Sequence, residues 1–195
     1  IGDPVAARDY LDFAVSHSRD IEHAHSLVQA LAFRALLGAV LRDPNLCASG
    51  TEAKRYGQRH GLPSLALAGG YFASAGGVIC AGQTVAKDQL SRLEADFDRF
   101  KKLNPLNYAP LAATIRAQVF LLAGRSDLAM ASLQEGLALQ DQSGEVWAAP
   151  ELHRIFALAH LDAGNSKASQ AHYRQALATA GQQGATGFEL RIACD

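Results

Sequence analysis

Charge of one sign is what this 195-residue sequence most plainly lacks: 18 basic and 19 acidic residues leave a net charge of −1, and neither sign forms a dense run. Without a basic patch there is no electrostatic footprint for nucleic acid or an anionic membrane surface. Cysteine is scarce too. Cys47, Cys80 and Cys194 form no C-x-x-C pair and leave an odd count, so neither a disulfide framework nor a zinc ribbon is indicated, and a reducing cytoplasm is the expected compartment. A basic start followed by an apolar run, the mark of a signal peptide, is missing. Polar or charged residues are expected to interrupt each apolar stretch before the roughly 18 residues that span a bilayer. Runs of alternating β-branched residues are absent as well, which removes the usual signal for strands.

What is present is apolar mass, with 49% hydrophobic residues dominated by Ala and Leu. That is enough for a continuous core and is biased toward helix. A short turn signature recurs five times: Gly2-Asp3-Pro4, Arg42-Asp43-Pro44, Gly82-Gln83-Thr84, Gly124-Arg125-Ser126 and Gly164-Asn165-Ser166, at intervals of 40, 40, 42 and 40 residues. Its chemistry suits the end of one helix and the start of the next: usually a glycine where φ is positive, then a polar residue, then Pro, Ser or Thr. Arg42 is the one non-glycine departure.

Aligning the segments on this marker puts an alanine seven residues before it in every copy: Ala35, Ala75, Ala117 and Ala157. A fixed alanine marks a helix crossing too close for a larger side chain, where Ala→Leu costs about 1–3 kcal/mol by overpacking. Nine, five and three residues before the marker the positions are mostly apolar, forming one helical stripe. Eight before, they are Arg34, Ser74, Arg116 and Phe156, mostly polar. The sequence predicts helices over 3–18, 20–41, 45–59, 63–81, 84–102, 108–123, 126–140, 146–163 and 166–182, and a last one from Thr186. The connections include His60–Pro63, Asn104–Asn107 and Asp141–Glu145. The expected architecture is therefore all-α: a right-handed α-α superhelix of about five helix pairs, a single repeat array over residues 1–195. Ile1 is not a methionine and the first residues read as a helix in progress, so the chain is expected to be a fragment of a larger protein.

Certain residues carry a family resemblance. The segment Glu145-Val146-Trp147, Glu151-Leu152-His153-Arg154, Gly164-Asn165, Ala168, Tyr173, Ala176-Leu177, Gly184-Ala185 and Phe188-Glu189-Leu190-Arg191 resembles the C-terminal tetratricopeptide-like region of large bacterial proteins. Those proteins join a class III adenylate or guanylate cyclase domain, or a DNA-binding domain, to an NTPase module and then to helical repeats. His25-Ser26-Leu27 through Ala32-Phe33, and Gly57 through Pro63, resemble earlier repeats of the same region. The period is longer than the family's usual 34 residues. Ser169 and Lys87, and Lys54 and Glu94, stand where small residues are expected, so the middle repeats should pack more loosely or at another angle.

The resemblance implies a non-catalytic regulatory or protein-interaction module of a bacterial signalling or transcription-regulating protein, any enzymatic domain lying outside these residues. In such arrays the first helix of each pair lines a concave face. Carried over by offset, that gives Gln29, Thr114, Gln118, Glu151 and Arg154 as accessible polar candidates for contacting a protein or peptide. Phe72, with Leu36, Ile79 and Leu158, occupies the same columns, making the groove partly apolar or else filled by neighbouring helices. Two rival readings stand beside this one. The first is a structural spacer or oligomerisation segment, including a homodimer through the end repeats. The second is a small-molecule sensor with a pocket near Tyr71, Phe72 and Trp147.

Catalytic, cofactor and metal sites are not expected. The glycine-rich stretch Gly69-Gly70…Gly76-Gly77 lacks a following Gly-Lys-Ser/Thr and a preceding strand, and its spacing of seven suits close helix packing better than a phosphate loop. His23 and His25 lie two apart and face different sides of a helix. His153 and His160, seven apart, share a face but have no third ligand in sequence. Cys47 and Cys80 read as small core residues, and no Gly-x-Ser-x-Gly elbow is present.

Overall fold

A computed structural model describes residues 3–82, 85–103 and 108–195. Among these every regular element is helical: α1 (Pro4–Asp20), α2 (Ala24–Leu41), α3 (Pro44–Arg59), α4 (Pro63–Ala81), α5 (Lys87–Leu103), α6 (Ala109–Leu122), α7 (Ser126–Ser143), α8 (Ala149–Asp162), α9 (Ser166–Gln183) and α10 (Thr186–Cys194). The markers do what their chemistry predicts. Arg42, Gly82, Gly124 and Gly164 all have positive φ, from 57° to 75°. Asp43 and Asn165 then cap α3 and α9, their side-chain oxygens accepting from the Asn45 and Leu46 amides and from the Ala168 amide. Gly2, Gln83, Thr84 and the Asn104–Asn107 connection lie outside the described residues.

Between the markers, Glu22, Gly61, Gly144 and Gly184 are left-handed as well. A residue of positive φ therefore follows α1, α2, α3, α4, α6, α7, α8 and α9, and successive ones stand 19 to 21 residues apart wherever the intervening chain is described. At Arg42 and Glu22 a side chain tolerates a backbone that glycine adopts at least cost. The expected helices differ from the observed ones mainly at their ends. α2 begins at Ala24, where the His23 side chain accepts from the Ser26 amide, and α8 begins at Ala149, past a turn at Trp147.

Where the sequence suggests one array, the chain forms two compact units, Val5–Pro105 and Leu106–Asp195 with Ile1–Pro4. In the first, α2 and α4 are apolar on most sides and touch each other, and both pack on α3. Glycine sets that spacing. A Cβ on Gly50 of α3 would collide with the carbonyl oxygen of Gly69 and come within 2.8 Å of Ala73 and 2.9 Å of Ala35. A Cβ on Gly57 would lie 2.9 Å from Ala66, and one on Gly69 2.6 Å from Ala53. α5 reaches α4 through one stripe, Leu93, Phe97 and Phe100, with Phe100 stacked on Tyr71 at 5.7 Å and edge-on to Phe72 at 5.8 Å. Lys54, Lys87 and Glu94 are exposed.

In the second unit α6 and α8 are the apolar helices and touch each other, while α7 packs on both and α9 packs on α8. The alanine column has no exposure at all at Ala35, Ala75, Ala117 or Ala157. The polar column beside it makes ties between helices: Arg34 pairs with Asp12 of α1 at 3.0 Å, and Arg116 with Glu135 and Ser132 of α7 at 2.5 and 2.8 Å.

Contrary to the expectation for apolar stretches, α2 and α4 are each long and apolar enough to cross a membrane, and α4 contains no charged residue. About half of each is buried. Their glycine and alanine surfaces are spent on α3, as in the core helices of a folded domain.

Candidate functional site

Of the six groove candidates, Gln29 and Phe72 lie in the first unit and Thr114, Gln118, Glu151 and Arg154 in the second. Gln29 is exposed on α2. Phe72 is buried in the Tyr71–Phe97–Phe100 cluster. The expectation that the other four are accessible is corrected: all are buried. Thr114 donates its hydroxyl hydrogen back to the Pro110 carbonyl at 2.8 Å, the usual way a helical threonine satisfies itself. The apolar members of the same columns are filled in by neighbours, with Ile79 and Leu36 buried and Leu158 half-buried.

Arg154 is the largest fully buried side chain among the described residues. Its guanidinium grips Glu151 one turn earlier with two parallel bonds, Nε to Oε2 and Nη2 to Oε1, both 2.8 Å. Its Nη1 donates to Asp195 at the end of α10, and Arg191 approaches Glu151 at 3.6 Å. Two cations and two carboxylates thus close a neutral network joining α8 to α10. Burial works against the Arg154 charge, but Glu151 and Asp195 outweigh it and hold the guanidinium pKa above its ordinary value. The Tyr173 hydroxyl of α9 is buried near this centre without a hydrogen-bond partner. Burial and then Asp195 raise its pKa, against the lowering pull of Arg154.

One face further round α8, three histidine rings stack. His172 of α9 lies 4.7 Å from Phe156, nearly parallel, and 5.3 Å from both His153 and His160. The Nδ1 atoms of His153 and His172 are 3.1 Å apart, so one carries the proton and the other accepts it. Burial, then the neighbouring His172, pushes His153 down to about 4, and burial, then His160, lowers His172. The sequence pairs His153 with His160 through their spacing of seven. His172 was missed because only the antiparallel return of α9 brings it there. The rings meet face to face, and among the described residues no three His, Cys, Asp or Glu side chains converge as a metal site.

The residues suggested for a small-molecule pocket are otherwise engaged. Tyr71 is buried against Phe97 and Phe100. Trp147 donates its indole hydrogen to Glu145 at 2.6 Å, and Glu145 also accepts from the Tyr108 amide at 2.8 Å.

The surface that stands out is on α1. Arg8, Asp12 and Arg19 share one face and pair with Asp43 at 2.7 Å, Arg34 at 3.0 Å and Glu52 at 2.8 Å. Val15 on that face joins Leu27, Val28 and Leu31 of α2 in the core. Tyr10, Phe13 and His17 take the opposite face, Phe13 stacked on His17 at 5.6 Å. Tyr10 is 75% exposed and Phe13 68%. An amphipathic helix ordinarily turns its aromatic side inward, and α1 does the reverse. Exposed Asp9 and Asp20 border the aromatic strip.

No protein-family model, no curated protein and no solved structure matches the chain.

Proposed function

We propose that this chain is a non-catalytic helical-repeat module of tetratricopeptide-like type that binds another protein, and that the aromatic face of α1 is its contact surface. The observation that carries the reading is the inversion of α1, whose charged side is tied down while Tyr10 and Phe13 face solvent. Exposed aromatic side chains of this size are the residue types that dominate binding energy at protein interfaces. The acidic margin of Asp9 and Asp20 favours a partner segment with apolar residues flanked by basic ones, docking as a helix against a helix.

The marker spacing and the alanine column support the repeat architecture. The resemblance noted above supports a regulatory place in a cytoplasmic bacterial signalling protein whose effector domain, a cyclase, NTPase or DNA-binding domain, lies outside this chain. The buried polar candidates Thr114, Gln118, Glu151 and Arg154 act as internal structure in this reading, and Gln29 remains on the surface of α2.

Selection of a displayed random-peptide library on the wild-type chain tests this. Enriched peptides should combine apolar and basic residues and should bind the Tyr10→Ser/Phe13→Ser variant on the order of thirtyfold more weakly. Peptides that bind the variant as well as the wild type would remove α1 as the surface. A concentration-dependent dimer abolished by the same substitutions would favour the oligomerisation role instead.

A further inference from the structure

Cys47 and Cys80 are 33 positions apart in sequence, yet their Sγ atoms lie 3.8 Å from each other, close enough for an S–H···S contact. Both are free thiols. Cys47 sits at the start of α3 and Cys80 at the end of α4. Their meeting depends on a missing side chain, because a Cβ on Gly76 of α4 would collide with the Cys47 sulfur. The pair also opens outward. A cleft of about 340 Å³ is lined by both cysteines together with Thr51, Ala73 and Gly77. Gly77 keeps it open, since a Cβ there would meet nothing within 4 Å. Cys47 is buried, whereas Cys80 is partly exposed.

We propose that Cys47 and Cys80 form a peroxide-oxidisable dithiol, which closes to an intrachain disulfide tying the start of α3 to the end of α4. The inference is independent of the binding role assigned to α1. The more accessible sulfur reacts first: the Cys80 thiolate attacks one peroxide oxygen, the O–O bond breaks, and hydroxide leaves, giving the sulfenic acid. The Cys47 sulfur, already in contact, then attacks the Cys80 sulfur. The S–O bond breaks, the hydroxyl departs as water with the Cys47 proton, and the S–S bond forms. Overall two thiols and one hydrogen peroxide give one disulfide and two waters, sulfur being oxidised and peroxide oxygen reduced. Burial, then the neighbouring Cys80, raises the Cys47 pKa to about 12. That keeps Cys47 protonated and suits it to the second, contact-driven step rather than to first attack.

The test uses the full chain carrying Cys194→Ser, which removes the exposed third thiol, treated with hydrogen peroxide. Intact mass should fall by two hydrogens, both remaining thiols should become unreactive, and a non-reducing digest should yield the α3 and α4 peptides joined. Tm should rise by about 5–10 °C and return on reduction. Gly77→Leu, which fills the cleft and leaves both sulfurs in place, should slow the reaction severalfold. Cys80 accumulating as sulfinic acid while Cys47 still titrates, or a disulfide that lowers Tm, would overturn the proposal.

Discussion

Between α2, α3 and α4 the helices approach through the absence of side chains, with Gly50, Gly57, Gly69 and Gly76 each facing a neighbour that leaves no room for a methyl group. Around α8, α9 and α10 the chain closes on an arginine with no solvent exposure. The first region is intolerant of added atoms and almost free of titratable groups. The second has its vulnerability in charge, because its carboxylates depend on one cation and its imidazoles on remaining neutral. Two helical regions of similar composition therefore fail for different reasons.

The largest effect separating them should come from Arg154→Met. It leaves Glu151 buried without its bidentate partner and Asp195 without its cation, and is expected to cost about 3–5 kcal/mol in urea unfolding. Replacing Arg154 and Glu151 together by apolar residues should recover much of that loss. In the glycine region, Gly50→Ala is expected to cost about 3 kcal/mol by the same measurement, since Gly69 backbone, Ala73 and Ala35 must all move.

Acid provides the next contrast. His153 is held near 4 in the fold, against about 6.5 in an unfolded chain. Between those values the unfolded chain takes up a proton that the folded one refuses. Stability should thus fall by about 1–2 kcal/mol as pH drops from roughly 6.5 to 4, and level off below. A pH series of Tm values checks this, and His153→Phe should flatten it. The smallest effect has the opposite sign. Gly77→Ala places a methyl group in open space within a helix and should stabilise by about 0.5–1 kcal/mol in the same unfolding assay.

The sequence discloses helix, turn and close crossing because each is written locally. The marker triplets carry their own φ preference and caps, and a recurring alanine announces a tight contact wherever it falls. The groove candidates were misplaced because their fate depends on distant residues. Nothing near Arg154 reveals that Asp195, 41 positions away, completes its pairing, and an offset carried over from a family says which helix a residue occupies without saying what covers it. His172 and the meeting of Cys47 with Cys80 were hidden for the same reason. The glycines were half legible: Gly69 and Gly76 do pack closely as their spacing suggests, but Gly77 faces open space. The inversion of α1 escaped notice because its outward aromatic side reads, by periodicity alone, like any inward one.

The regular recurrence of a left-handed residue every 19 to 21 positions bears on how such a chain changes length. One residue added inside a helix turns everything after it by about 100° and carries buried alanines away from their contacts. Gaining or losing a whole pair of helices, by contrast, brings like surfaces to like surfaces. In a chain paced this way, growth by duplication of forty-residue blocks is tolerated far more readily than growth by single codons, so its natural variants should differ in the number of helix pairs before they differ in the length of any helix.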